Sequence, residues 1–174
     1  MASEPSMTVE PIKVVAMVLQ REMGLEDGSI MLGLENFEIP KTTGLYVSLL
    51  YGPEQIIGNN NYNSIDIHGT YCEVQDVVVL HQVDIDVMSF DSSARMRKEE
   101  VLQALQSYEA QQLMEKYQMR IASTSGAFLP IRTMEETKQL NRFQVTISVN
   151  ALHHKVKSTP FYDTLQTVDL VENP

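Results

Sequence analysis

The stretch 83–106, "VDIDVMSFDSSARMRKEEVLQALQ", changes its period halfway along and so decides the fold. Val83, Ile85 and Val87 alternate with Asp84 and Asp86, the pattern of a half-wet strand. After Phe90 the polar break "DSSA" offers Asp91 or Ser92 as a helix N-cap. Val101, Leu102, Ala104, Leu105 and Tyr108 then gather on one helical face, against Glu99, Glu100, Gln103 and Gln106 on the other. A strand wet on one side followed by an amphipathic helix predicts a helix laid on a sheet.

The pattern extends in both directions. The strand begins near Cys72, and the run Val77–Leu80 reads as buried on both faces. Upstream, "LYVSLLY" (45–51) is rich in β-formers and Gly52-Pro53 marks a turn. Residues 54–57 resume the strand, and "GNNNYNS" (58–64) reads as a solvated loop or hairpin tip, long enough to serve as a contact arm. Downstream, a further helical turn or two runs through Leu113, Met114 and Tyr117. "FLPIR" (128–132) is a short extended piece whose Pro130 places it at an edge. Residues 141–151 alternate cleanly, with Phe143, Val145, Ile147, Val149 and Ala151 on one side. After a polar break, "TLQTVDLV" reads as a last strand.

At the other end, residues 9–23 form a helix candidate that Gly24 would cap. Ile12, Val15, Ala16, Leu19 and Met23 make one apolar stripe; Val14, Met17 and Val18 make a second on the opposite side. A helix apolar on two sides is buried on both. The second stripe is therefore a candidate contact with another chain. Together these elements predict an α+β domain over residues 8–174, mainly an antiparallel sheet with helices on one face, behind a disordered lead-in at 1–7.

Composition narrows the function. The 174 residues are 43% hydrophobic and 21% charged, ordinary for a globular domain. No apolar stretch reaches the roughly 20 residues a membrane helix needs, so no membrane partner is expected. The single cysteine, Cys72, precludes an intrachain disulfide and fits a reducing compartment. A net charge of −10, without a dense Lys/Arg cluster, disfavours specific nucleic acid binding and leaves room for passive contact.

Asp84 and Asp86, two apart on a strand, share a face, and such a pair can hold a divalent cation through oxygen ligands. The further carboxylates, lysine or phosphate-cradling loop of a metal enzyme are missing, as are G-x-x-x-x-G-K-[ST] and G-x-G-x-x-G. His153 and His154 are strand neighbours and point to opposite faces, while His68, Cys72 and His81 lack zinc spacing. "ASTSGA" (122–127) is not a nucleophile elbow. No catalytic residue, metal or cofactor is expected, and the residues read as a binding or structural protein.

The order of features from 75 to 154 resembles the neck or tail terminator (tail completion) proteins of tailed bacteriophages. A strand ends in "HQVDIDVMSF"; then come a polar break, the helix "SARMRKEEVLQALQS", a shorter helix "AQQLMEKYQMRI", a "PIR" strand, and "NRFQVTISVNA". Gln82, Asp84, Asp86 and Arg142 occupy matching positions; Met88 stands where that family usually has an aromatic residue, and Phe90 lies nearby. The resemblance covers roughly half of the chain. It implies a non-enzymatic virion subunit, made in the host cytoplasm, that forms a hexameric ring at the phage neck. Such a ring caps the tail tube, meets tube and sheath proteins and the head–tail connector, and lets genomic DNA pass through its lumen. Gln82, Asp84 and Asp86 are then candidates for the lumen or an inter-subunit face. Other readings are a head completion or tail tube protein, or a small metal-dependent enzyme using Asp84 and Asp86.

Overall fold

The computed structural model describes residues 9–33, 44–65, 69, 71–135 and 138–158. Its first element, helix α1 (Pro11–Glu22), starts on a proline whose missing N–H costs nothing in the first turn. It stops where Gly24 takes a φ of 60°, a left-handed conformation that favours glycine. Three strands follow: β1 (Ile30–Leu32), β2 (Tyr46–Ile65) and β3 (Tyr71–Ser89). Three short helices come next, α2 (Ser93–Arg97), α3 (Glu100–Leu105) and α4 (Tyr108–Lys116). Strands β4 (Met119–Thr124), β5 (Leu129–Glu135) and β6 (Lys138–Ser158) complete the described chain.

The strands form one six-stranded sheet in the order β1-β2-β3-β6-β4, with β5 also paired to β6. Only the β1–β2 pair is parallel; the other pairs are antiparallel. The register puts Val47 beside Val87 and Leu49 beside Ile85, and sets Val83, Ile85 and Val87 opposite Ile147, Val145 and Phe143. One face is thus a continuous apolar surface. Ile12 and Val15 of α1, Ala94 of α2, Val101 and Leu105 of α3, and Ala110 and Met114 of α4 join it in a single core cluster. The α+β class, with a mainly antiparallel sheet and helices on one face, is as the periodicity predicts.

Helix α1 corrects the sequence reading of its second stripe. Val14 and Val18 have 0% exposure within the single chain, and Met17 packs partly buried against the same core. The helix touches β1 and β2 and also α3 and α4, so its own chain covers both sides. Val14 and Val18 cannot form a contact with another chain, since each already lies in the core.

Four further features differ from the alternation pattern. The predicted helix over 93–108 is broken, and its junction closes with i,i+3 bonds from Val101 N to Lys98 O and from Leu102 N to Glu99 O. There the Arg97 guanidinium donates to both the Met23 carbonyl and the Glu100 carboxylate, tying the junction to the end of α1. Short strands β1 and β4 occupy segments that carry no alternation long enough to register. Strand β2 runs straight through Gly52-Pro53 and the Asn tract, with irregularities at Tyr51/Glu54 and Ile56/Gly58. Gly52 and Pro53 have no ladder partner, so the missing proline N–H falls where none is needed. Finally, Val77–Leu80 is half-buried, not buried on both faces. The lead-in at 1–7 and the last predicted strand, "TLQTVDLV", lie outside the described residues.

Candidate functional site

Beyond Tyr51, His81 and Leu152, strands β2, β3 and β6 continue as a three-stranded ribbon, paired as far as Ile65, Tyr71 and Ser158. No described residue from 50 to 82 belongs to the main core cluster. At about 3.3 Å per residue the stretch Glu54–Ile65 spans roughly 35 Å. Its apolar side chains face water: Ile56 is 68% exposed, Ile57 49%, Ile65 56% and Tyr62 43%. The Asn tract is part of this ribbon and has a structural task. Asn61 donates to Glu73 Oε1 at 2.7 Å and Gln75 Nε2 donates to the same oxygen at 2.9 Å. The Gln75 bond first, then that of Asn61, hold the Glu73 carboxyl below its usual range.

His81 sits at the base of the ribbon, buried, with its Nδ1 3.0 Å from Glu54 Oε1 and its ring centroid 6.2 Å from that of His153. His154, on the opposite face of β6 from His153, pairs with Asp76 at 2.6 Å. Among the described residues no group of three or more His, Cys, Asp or Glu side chains is placed to hold a metal ion.

The sheet face away from the helices carries Gln82, Asp84 and Asp86 of β3 beside Arg142, Gln144 and Thr146 of β6. Both carboxylates are engaged across the strand pair. Arg142 donates to Asp86 Oδ2 at 2.6 Å, and Thr146 Oγ1 donates to Asp84 Oδ1 at 2.5 Å. Asp86 is 1% exposed, so it does not lie on a wet face as its alternation implies. Its neighbours in the register explain the burial: Tyr46 and Met88, paired across β2 and β3, pack with Leu140, Met31 and Phe90 in a second apolar cluster at this end of the sheet. Asp86 therefore cannot line a lumen. Asp84 and Gln82 remain half-buried, and Gly52 packs so closely on Gln82 that an added Cβ would lie 3.0 Å from the Gln82 Cβ.

The carboxylate pair thus turns out to be two separate contacts with β6. Sequence reasoning missed the role of Arg142 as the Asp86 partner and the exposure of Ile56, Ile57 and Ile65. The first was within reach, because Arg142 begins an alternating strand on the same polar side. The second was hidden by reading the Asn tract as a loop. Compared with models of known protein families and with curated proteins, the chain matches none.

Proposed function

We propose that this chain is a structural subunit of a tailed-phage particle, a neck or tail terminator that assembles into a ring. The single observation that carries this reading is the ribbon, whose exposed isoleucines and tyrosines form an apolar surface outside the core. A lone soluble domain gains nothing from such a surface, whereas a subunit buries it against a neighbour. From Gln55 to Ile65 the outer strand also lacks any charge or proline, the devices that normally keep an open edge from pairing. The sequence resemblance supplies the kind of assembly: a hexameric ring at the neck that ends the tail tube and meets the connector, with DNA crossing its lumen. The negative charge suits passive transit, since few lysines or arginines are available to trap phosphates.

The enzyme reading loses its proposed pair, because the Asp84 and Asp86 oxygens face Thr146 and Arg142 and do not converge on a shared ligand site. The functional test is genetic. Deleting this chain from a phage genome that encodes it should leave filled heads unjoined to tails, with tubes of irregular length under electron microscopy. Normal particles from the deletion strain would refute the assignment.

A further inference from the structure

The ribbon has two open margins, and they differ. Among the described residues nothing pairs with the outer side of β2 from Glu54 to Ile65, nor with the outer side of β6 from His153 to Ser158. The β2 margin is uncharged from Gln55 onward and rich in exposed isoleucine; the β6 margin carries Lys155 and Lys157 around Val156, which is 39% exposed. Two copies with a net charge of −10 each repel one another. Contact is least opposed where negative charge is absent on one side and positive charge is present on the other. A closed ring in addition needs a head-to-tail interface, in which two different surfaces of the same chain meet. The ribbon supplies two such surfaces on its opposite sides.

We propose that copies of this chain join by sheet continuation, the β2 margin of one pairing with the β6 margin of the next. The inference rests on the ring reading and names its interface. Its direction follows from topology. Strands β2 and β6 both run antiparallel to β3, so they run parallel to each other within one ribbon. Rotation about an axis along the ribbons preserves strand direction, so β2 meets the neighbouring β6 in parallel. A twofold dimer would instead set β2 against β2 in antiparallel fashion.

Cysteine pairing separates these arrangements in the full-length chain. Asn63 and Lys155 are exposed on the two margins and on the same face of the ribbon, whereas the native Cys72 is buried. Purified Asn63→Cys and Lys155→Cys chains, mixed and treated with a short bismaleimide, should give linked pairs containing one of each. Either variant alone should give none. Linked pairs from Asn63→Cys alone would indicate the twofold contact and overturn the proposal. Rings visible by electron microscopy but without mixed linkage would overturn this interface and leave the ring reading intact. A chain that stays single and unlinked at tens of micromolar would overturn both. Circular dichroism identical to the parent chain confirms that each variant is folded.

Discussion

Arg142 donates to the otherwise buried Asp86 at 2.6 Å, joining the two strands that lie at the centre of the sheet. The two residues are 56 positions apart in the chain and sit diagonally across the β3–β6 register, Asp86 opposite Gln144 and Arg142 opposite Met88. The pair therefore fixes strand alignment as well as satisfying a buried charge. Among the described residues Asp86 Oδ1 and Arg142 Nε find no hydrogen-bond partner, so the pair is held by the single Nη2–Oδ2 contact.

Breaking the pair should be costly, and replacing it should not. Removing one member of a buried ion pair typically costs about 3–5 kcal/mol, because the other charge is left without compensation. Arg142 keeps 28% of its side chain in water, which places Asp86→Ala near the low end, about 3 kcal/mol. The double change Asp86→Leu with Arg142→Met should recover most of that loss. Urea unfolding of the parent and the two variants checks the prediction; an Asp86→Ala chain as stable as the parent would contradict it.

Val18 should behave as a core residue. Val18→Ala removes two buried methyl groups and should cost about 2 kcal/mol. Val18→Glu buries an unpaired charge and should leave no folded chain in the soluble fraction, read by circular dichroism and solubility. A folded, soluble Val18→Glu chain that failed only to assemble would restore the inter-chain reading of that stripe.

Acid should weaken the start of α2. Hydrogen bonds from the Ser93 side chain and then from its backbone amide, the latter at 2.8 Å, hold the Asp91 carboxyl below its usual value. A carboxyl depressed in the folded state stabilises fully above its unfolded pKa, and that contribution is lost as pH falls through the folded one. Asp91→Asn should therefore melt below the parent at neutral pH, and the gap should close under strongly acidic conditions. Thermal midpoints across the acid range give the result; a gap that widens toward low pH would contradict it.

The parts of this fold legible in the sequence are those where one face is buried and the other is wet. Val83 to Val87 and Phe143 to Ala151 declare their strands because their partners form the core. The helix-to-strand switch before β4 leaves no such trace. Its left-handed residue is Gln118, with φ 55°, where a glycine would have announced the end of α4. Asp86 was misplaced for a different reason: alternation assigns it to the polar side, but only the register reveals that Arg142 and the Tyr46–Met88 cluster close over that side. The Asn tract shows the limit of propensity. Asparagine disfavours strands, yet pairing with β3 on one side is enough to hold Asn59–Asn63 extended.

Assembly through the ribbon is the central claim, and native mass spectrometry of the full-length chain tests it most directly. The parent chain at tens of micromolar should appear as a closed species of six copies. Ile56→Lys, placed on a side chain already 68% exposed, should change folding stability by less than about 0.5 kcal/mol yet shift the chain to single copies. A parent chain that remains single, or an Ile56→Lys chain that assembles as the parent does, would contradict the account.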